Sequence, residues 1–321
     1  MKFANRKTLI RLIGIVLVVV LIIRLDFGAV LATLLAANPL WVALAALLII
    51  PLIGMKTVRW QVILHAQGIR YRFGPAFLAY FASLAIGFIT PGRLGEFAKS
   101  IYVSEDCGTP SAIAFASVLS DRLFDLAALA VVGAAALAGA SLGQRPFLLV
   151  VGFSLLLAGM FWLFLAERPY GWMRSASQRL GSAVRSLFEQ GGWVAQLRLG
   201  LKQASPASLL AASLITVLSY ALFYTQCYFL ALALDLGVDF LHVTYAVALG
   251  SLVTLLPISI SGLGTREAVM ILYLGQFGVA AELSLSYSLL VFTTFYIIGG
   301  LIGGAAWLLK PLSLSMVAEV D

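Results

Sequence analysis

The chain contains several runs of more than about 18 residues without Asp, Glu, Lys or Arg, such as 146–166 and 206–233. At about 1.5 Å per residue, an α-helix of that length crosses the roughly 30 Å of hydrocarbon in a bilayer. Backbone polar groups in lipid must be satisfied within the segment, and these runs are too long for the strands of a membrane barrel. Of the 321 residues, 62% are hydrophobic and 11% charged, against about 45–50% and 25% in soluble domains. The sequence therefore predicts an all-α, polytopic membrane protein, with 1–321 forming one transmembrane domain.

About six full spans are expected, at approximately 8–25, 39–58, 110–140, 146–166, 206–233 and 284–309. Two further apolar segments, 75–103 and 242–277, are interrupted by Pro and Gly. The first span could instead be a signal peptide, since basic residues precede it. No clear small-x-small cleavage site follows it, which favours a retained helix.

The polar segment 168–203 carries apolar residues at helical spacing, namely Met173, Ala176, Leu180, Val184 and Leu187. This spacing predicts an amphipathic helix on the membrane surface. A solvated connector between two halves of the protein fits the same segment equally well.

The distribution of Lys and Arg predicts cytoplasmic N- and C-termini, because basic residues concentrate in cytoplasmic loops. The basic residues that precede 75–103 and those within 168–203 then lie on the cytoplasmic side. Segment 75–103 must therefore start and finish on that side, as a re-entrant broken-helix hairpin. The same distribution of basic residues predicts that segment 242–277 is a hairpin that enters and leaves the membrane on the outer side. The alternative, one kinked crossing by 75–103, would place six basic residues outside.

The two hairpins predict an inverted repeat, with pseudo-repeat halves at about 39–140 and 206–309 joined by span 146–166 and segment 168–203. Gly92-Arg93-Leu94-Gly95-Glu96 resembles Gly262-Leu263-Gly264-Thr265-Arg266-Glu267, and a proline precedes each motif. Interrupted helices in matching halves are typical of transporter sites. The residues expected to shape the re-entrant tips are Pro91, Gly92, Gly95, Pro257, Ser261, Gly262 and Gly264.

Non-helical backbone cannot face lipid, so both tips should line a cavity. The second half-helix of each hairpin is expected to begin near Glu96 or Arg266, with the positive end of its dipole in mid-membrane. Such a helix start attracts anions, and a nearby arginine can bind a phosphate in a bidentate manner. Two such tips close together would form a site for an anionic headgroup.

Charged residues also lie at membrane depth in span 110–140, where Asp121 and Asp125 share a helix face. Arg122 could pair with Glu96 or with Asp125, since an unpaired buried charge is costly. The predicted substrate-binding residues are Arg93, Glu96, Asp121, Arg122, Asp125, Arg266 and Glu267. The alternative is an ion-pair cluster that only holds helices together. Arg59 and Trp60 are interpreted as interfacial anchors.

The net charge of +7 does not indicate nucleic-acid binding, because the basic residues sit at helix ends and in loops. The two histidines lie far apart and the two cysteines have no zinc spacing, so neither a metal nor a cofactor is expected. No catalytic residue is predicted. Asp121 and Asp125 could act as acid and base, but no nucleophile or metal partner lies near them in the sequence.

Three ordered motifs resemble the membrane region of lysylphosphatidylglycerol synthases. They are Pro91-Gly92-Arg93-Leu94-Gly95-Glu96, Asp121-Arg122-x-x-Asp125 and Ser261-Gly262-Leu263-Gly264-Thr265-Arg266-Glu267. The same region occurs alone in flippase-like bacterial and archaeal membrane proteins, and the resemblance covers about Leu9 to Lys310. It implies a lipid-translocating module. The larger enzymes carry a lipid-aminoacylating domain downstream, and with the chain ending at Asp321 lysyl transfer is not expected.

These observations predict a flippase-like transporter that moves an anionic phospholipid or lipid-linked headgroup across a bacterial inner membrane. Its expected partners are membrane lipids with an anionic headgroup and a lipid-modifying enzyme. One alternative is a membrane-embedded enzyme or accessory subunit acting on polyprenyl or glycolipid phosphates, with Asp121 and Asp125 catalytic. Another is a non-transporting membrane scaffold.

Overall fold

A computed structural model describes residues 27–139, 144–179, 182–254 and 262–311. All regular structure within these ranges is helical, which confirms the predicted all-α class. Three of the described helices are long and apolar enough to cross a membrane, namely Pro39–Ala66, Pro206–Ala233 and Ala281–Leu309. The predicted span 8–25 and the tip residues Pro257 and Ser261 lie outside the described residues. The number of full crossings and the division into repeat halves stay predictions.

The first part of the chain forms six helices and one 3₁₀ segment: α1 (Phe27–Leu35), α2 (Pro39–Leu47), α3 (Ile49–Ala66), α4 (Phe73–Ile89), the 3₁₀ segment (Pro91–Ala98), α5 (Lys99–Cys107) and α6 (Ser111–Gly139). The Asn38 side chain accepts a 3.0 Å hydrogen bond from the amide of Leu40 and so caps α2. Helices α2 and α3 follow each other directly to Ala66. The helix that contains the predicted span 39–58 therefore continues to Ala66.

The middle of the chain forms α7 (Gln144–Leu165) and three short helices, α8 (Glu167–Ser177), α9 (Ser182–Phe188) and α10 (Trp193–Lys202). The predicted amphipathic segment 168–203 therefore contains more than one helix, and its place on the membrane surface stays a prediction. The chain turns before α10 at Gly191, which has φ of 86°, a conformation that glycine adopts readily. Helix α10 packs on the start of α6, where a Cβ on Gly200 would lie 2.8 Å from the side chain of Ala116.

The last part forms five helices and one π-helical segment: α11 (Pro206–Ala233), α12 (Phe240–Thr254), α13 (Thr265–Gly275), α14 (Ala281–Phe292), the π segment (Thr293–Ile298) and α15 (Gly299–Leu309). Ser205 caps α11 by accepting a 3.1 Å hydrogen bond from the amide of Ser208, and Pro206 begins the helix.

Both ends of the first interrupted segment lie together. The Tyr71 hydroxyl before α4 donates a hydrogen bond to Asp106 at the end of α5. Lys310, just after α15, contacts the same carboxylate at 2.8 Å. The segment therefore forms a hairpin, as predicted, and the alternative of one kinked crossing by 75–103 is wrong.

The second interrupted segment is also a hairpin, since the rings of His242 on α12 and Phe277 after α13 lie 4.2 Å apart. The end of a hairpin opposite its tip is called its open end. The open end of the second hairpin adjoins the end of α11, where the Tyr228 and Phe240 rings are 5.5 Å apart. The open end of the first hairpin instead shares a cavity of about 820 Å³ with Ser205, at the start of α11. Because α11 has 28 residues, or about 42 Å of helix, the hairpins approach the middle from opposite ends.

Helices α4 and α15 pack closely along this first hairpin. At Gly303 of α15, an added Cβ would lie 2.5 Å from the carbonyl oxygen of Phe81 and 2.7 Å from the Cβ of Ala85. The neighbouring Gly304 has no such contact within 4 Å. Only a residue without a side chain fits at Gly303, so α15 holds the first half of the hairpin in place.

The sidedness of the hairpins predicts which introduced cysteines react with a membrane-impermeant thiol reagent. In a background with Cys107→Ser and Cys227→Ser, Glu105→Cys and Arg168→Cys should react from the cytoplasmic face. Gln276→Cys should react only from the opposite face, because it adjoins the other hairpin's open end. The measurement is labelling of intact cells and of inverted vesicles. Reaction of Glu105→Cys and Arg168→Cys from different faces would contradict the topology.

Candidate functional site

Asp121 on α6 is fully buried where four helices converge. Its carboxylate accepts hydrogen bonds from Arg59 Nε on α3 at 2.8 Å, Lys99 Nζ on α5 at 2.6 Å and the Tyr80 hydroxyl on α4 at 3.1 Å. The Lys99 ammonium also lies 3.8 Å from the centroid of the Tyr80 ring and 5.2 Å from that of Trp60, a favourable cation–π arrangement. Asp121 thus ties the hairpin to α3 and α6.

Asp125 lies one turn further along α6 and receives a second set of cations. Arg59 Nη1 contacts it at 2.9 Å and Lys56 Nζ at 3.0 Å. The hydroxyl of Thr216, on α11, accepts a further hydrogen bond from Arg59 Nη1 at 3.2 Å. The Arg59 guanidinium therefore bridges both carboxylates of α6, which matches the expectation that they share one helix face.

Glu96 brings the tip of the first hairpin into the same network. It forms an ion pair with Arg122 on α6, and Arg93 Nη1 lies 4.0 Å away. Arg122 also lies 3.9 Å from Asp125, so it faces both of its predicted partners. Glu96 fits because Gly87 on α4 has no side chain, and a Cβ there would lie 2.4 Å from the Glu96 Cγ.

Together these residues form what we call the charge cluster: Lys56, Arg59, Arg93, Glu96, Lys99, Asp121, Arg122 and Asp125. Its five basic side chains face three carboxylates, an excess of two positive charges among the described residues. Asp121 lies ten residues into α6, or about 15 Å along the axis, which is mid-membrane depth for α6 placed as the predicted span. A charge there costs at least about 2.5–3.5 kcal/mol unless it is paired. The cluster therefore favours an added anion.

The interpretation of Arg59 and Trp60 as interfacial anchors is wrong, because both side chains are fully buried. Arg59 lies between Asp121 and Asp125, and the Trp60 indole donates a 3.1 Å hydrogen bond to the Ser117 hydroxyl. Lys56 and Lys99 were also missing from the predicted site. A signal for two of these residues was present, since Lys56 and Arg59 lie three apart on one apolar helix and so share a helix face, as Asp121 and Asp125 do at a separation of four. Lys99 has no comparable spacing signal.

The tip of the first hairpin is a 3₁₀ segment that begins at Pro91. The α-helix resumes at Lys99 rather than near Glu96 as predicted, because the chain turns back on α4. A Cβ on Gly95 would lie 2.6 Å from the backbone of Ile86, so this contact requires glycine. The Thr90 hydroxyl accepts a 2.7 Å hydrogen bond from the amide of Gly95 and closes the turn.

At the tip of the second hairpin, the charges of Arg266 and Glu267 compensate each other. Glu267 accepts a 2.6 Å hydrogen bond from the amide of Gly264 and so caps the start of α13. It also pairs with Arg266, and Ser288 lies 3.1 Å from both side chains. The described part of this tip has no spare positive charge, which contradicts the expectation of two equivalent electropositive tips. Gly262 and Gly264 have φ of 78° and 83°, consistent with their predicted place in a sharp turn.

Tyr296 joins the two tips and was not predicted from the sequence. Its hydroxyl accepts a 2.6 Å hydrogen bond from Arg93 Nη2, and its ring centroid lies 5.8 Å from the Arg266 guanidinium. Tyr296 belongs to the π segment between α14 and α15. The structure thus brings five of the seven predicted site residues into the charge cluster and connects Arg266 and Glu267 to it through Tyr296. Their substrate-binding role stays a prediction.

Comparisons with known proteins agree with this architecture. The family model described as the lysylphosphatidylglycerol synthase TM region matches residues 11–303. Two UPF0104 membrane proteins of Methanothermobacter thermautotrophicus are each 24% identical to this chain, one over 87% of this chain and 88% of its own length, the other over 93% and 92%. A UPF0104 membrane protein of Methanocaldococcus jannaschii is 22% identical over 95% of both chains.

The family match contains the charge cluster, both hairpins and nearly all of the described helices. Its extent confirms the resemblance that the three sequence motifs carry. The chain belongs to the family of the lysylphosphatidylglycerol synthase TM region.

Proposed function

We propose that this membrane protein moves a lipid with an anionic headgroup, such as an anionic phospholipid, between the leaflets of a bacterial inner membrane. The observation that carries the proposal is the excess of two positive charges in the buried charge cluster. A phosphate in mid-membrane would otherwise face the same desolvation cost as any buried ion. The cluster offers that phosphate compensating charge while the acyl chains stay in the bilayer.

Arg93 is the member of the charge cluster best placed to meet a ligand. Its side chain is 30% exposed, whereas those of Arg59 and Lys99 are fully buried. Arginine suits phosphate because its planar donors match two phosphate oxygens at once. Arg93 also sits at the tip of a hairpin, where non-helical backbone requires a protein-lined or wet environment.

The carboxylates favour translocation over covalent chemistry. Asp121 accepts hydrogen bonds from three side chains, and Asp125 is held by Lys56 and Arg59. A general base needs a free oxygen within reach of the proton that it removes. Both oxygens of Asp121 accept hydrogen bonds, so we propose no acid–base role for Asp121. The hydrogen bonds from Lys56 and Arg59 to Asp125 both go to Oδ1, and we propose that this carboxylate acts as their counter-ion. We also propose membrane lipids as the partners and a cytoplasmic location for both termini.

Leaflet exchange in proteoliposomes tests the proposal. The purified full chain is reconstituted with fluorescent phosphatidylglycerol or phosphatidylcholine, and a membrane-impermeant quencher reports the lipid reaching the outer leaflet. We expect exchange of the anionic lipid to exceed that of the zwitterionic lipid. Exchange equal to that of protein-free liposomes for both lipids would remove the proposal for the lipids tried.

Arg93→Gln should slow exchange of the anionic lipid about tenfold or more, since hydrogen bonds to charged groups contribute about 1.5–3 kcal/mol. The matched control is Arg185→Gln, which removes the same charge from an exposed pair with Glu189 on α9. That variant should exchange lipid at the wild-type rate. Both should elute from size exclusion like the wild type. Equal rates for the two variants would show that Arg93 does not meet the headgroup.

A further inference from the structure

Arg93 differs from the other four basic residues of the charge cluster in what it contacts. Lys56, Arg59, Lys99 and Arg122 each have a carboxylate oxygen within 3.0 Å. The nearest described carboxylate to Arg93 is that of Glu96, at 4.0 Å. Its 2.6 Å hydrogen bond goes instead to a neutral phenol, that of Tyr296.

The Tyr296 hydroxyl is held in place without Arg93. The Tyr296 ring centroid lies 4.5 Å from that of Phe292, which it stacks on, and 4.5 Å from that of Phe88. The ring is therefore fixed by packing on α14 and α4. Tyr296 belongs to a π-helical segment, and such segments occur frequently at functional sites.

Arg93 is held in an uncommon backbone conformation. Its φ is 57°, a left-handed region that non-glycine residues adopt rarely because it is strained. Its buried Nε has no hydrogen-bond partner in the described part of the chain. The guanidinium is thus positioned beside Tyr296 with donor capacity left over.

We infer that the Tyr296 hydroxyl accepts, in the ligand-free protein, the Arg93 hydrogen bond that a phosphate oxygen accepts when an anionic headgroup binds. The inference rests on the proposed function, because it assumes that the ligand carries a phosphate. A hydrogen bond from a guanidinium to an anionic oxygen is roughly twice as strong as one to a neutral oxygen. The phosphate therefore displaces the phenol from Arg93. Until then, Tyr296 satisfies Arg93 and keeps it from closing onto Glu96.

This assignment makes an unusual prediction, because removing a contact residue should tighten binding. Tyr296→Phe keeps the ring and removes the competing hydroxyl, so we expect affinity for a phosphate to rise about three- to tenfold. Arg93→Gln should weaken binding about tenfold or more. In the double variant, Tyr296→Phe should give no gain, since the hydroxyl acts only through Arg93.

The experiment is titration of the full chain in neutral detergent with short-chain phosphatidylglycerol and, separately, with inorganic phosphate. Tyr287→Phe is the matched control, since it removes a buried phenol that donates to Cys227, away from the cluster. Its affinity should equal that of the wild type. The same relative gain in Tyr296→Phe for lipid and for inorganic phosphate identifies the phosphate as the competing group, whichever source supplies it.

Equal or weaker lipid binding by Tyr296→Phe would overturn the inference and leave the proposed function in place. A gain that persists in the Arg93→Gln background would overturn it too, as would a gain for the lipid without one for inorganic phosphate. If the wild type binds neither ligand, both the proposed function and this inference fail.

Discussion

Replacing Asp121 with Asn should lower the free energy of unfolding by about 3–5 kcal/mol, the usual cost of breaking a buried ion pair from one side. The carboxylate is fully buried, and it is the counter-charge of both Arg59 and Lys99. An asparagine keeps the shape and one acceptor oxygen, but it removes the paired carboxylate of Lys99 and leaves Arg59 with Asp125 alone. This loss of stability is larger than the contribution of an exposed ion pair such as Arg185–Glu189, which is usually below about 1 kcal/mol.

Denaturant unfolding in mixed micelles measures this effect, followed by the reaction of a thiol dye with the buried Cys227. The control is Glu189→Gln, which breaks the exposed pair with Arg185 and should change the free energy of unfolding by less than about 1 kcal/mol. Wild-type stability of Asp121→Asn would mean that the aspartate is not the structural counter-ion. Product formation lost in such a stable variant would instead favour the enzyme alternative.

Gly303→Ala should lower the free energy of unfolding by about 1–3 kcal/mol, because a methyl group there overlaps the backbone of α4. The contact atom is the carbonyl oxygen of Phe81, 2.5 Å from the added Cβ, and a backbone atom cannot rotate away as a side chain can. Separation of α15 from α4 would also displace the hairpin that carries Arg93. Anionic lipid exchange should therefore fall with stability.

For the neighbouring substitution Gly304→Ala, we expect no loss of stability. A Cβ at this position has no such neighbour within 4 Å, and alanine favours a helix by up to about 1 kcal/mol over glycine. Gly304→Ala should therefore be neutral or stabilising under the same unfolding assay. Equal destabilisation by the two substitutions would mean that helix propensity, and not the close crossing, determines their effect.

The helical class and the interruptions of both hairpins could be predicted from sequence because their signals are local. Uncharged runs of spanning length and Pro-Gly motifs within apolar segments each restrict the backbone over a few residues. The pairing of Arg122 with Glu96 could also be anticipated, since so few charges lie at membrane depth. Because charges at that depth are so few, only Glu96 and Asp125 were candidate partners of Arg122.

The role of Arg59 could not be read from its own neighbourhood. It lies near the end of an apolar run, where arginines commonly reach the headgroups, and its partners Asp121 and Asp125 are 62 and 66 residues away. Tyr296 was hidden for another reason. An aromatic residue inside an apolar segment is indistinguishable from core or lipid-facing residues until its neighbours are known.

The second tip did carry an overlooked local signal. A glutamate three residues after the residue that precedes a helix reaches back to cap it, and Glu267 stands in that position after Gly264. Attention to that spacing would have predicted a tip whose charge is already compensated. The likeness of the two motifs instead favoured two equivalent sites.

The unequal charge of the two tips has a consequence for energetics. If the proposed function holds, a headgroup that passes both tips would meet the positively charged cluster on one side of Tyr296 and the compensated Arg266–Glu267 pair on the other, and it would spend more time at the former. Detailed balance forbids such unevenness from driving net flux, because forward and reverse passages share one barrier. A ligand shifts populations only through its differential affinity for the states. Under the proposed function, the unequal tips alone would only equilibrate the leaflets, and any accumulation against a gradient would have to draw on a second, coupled process.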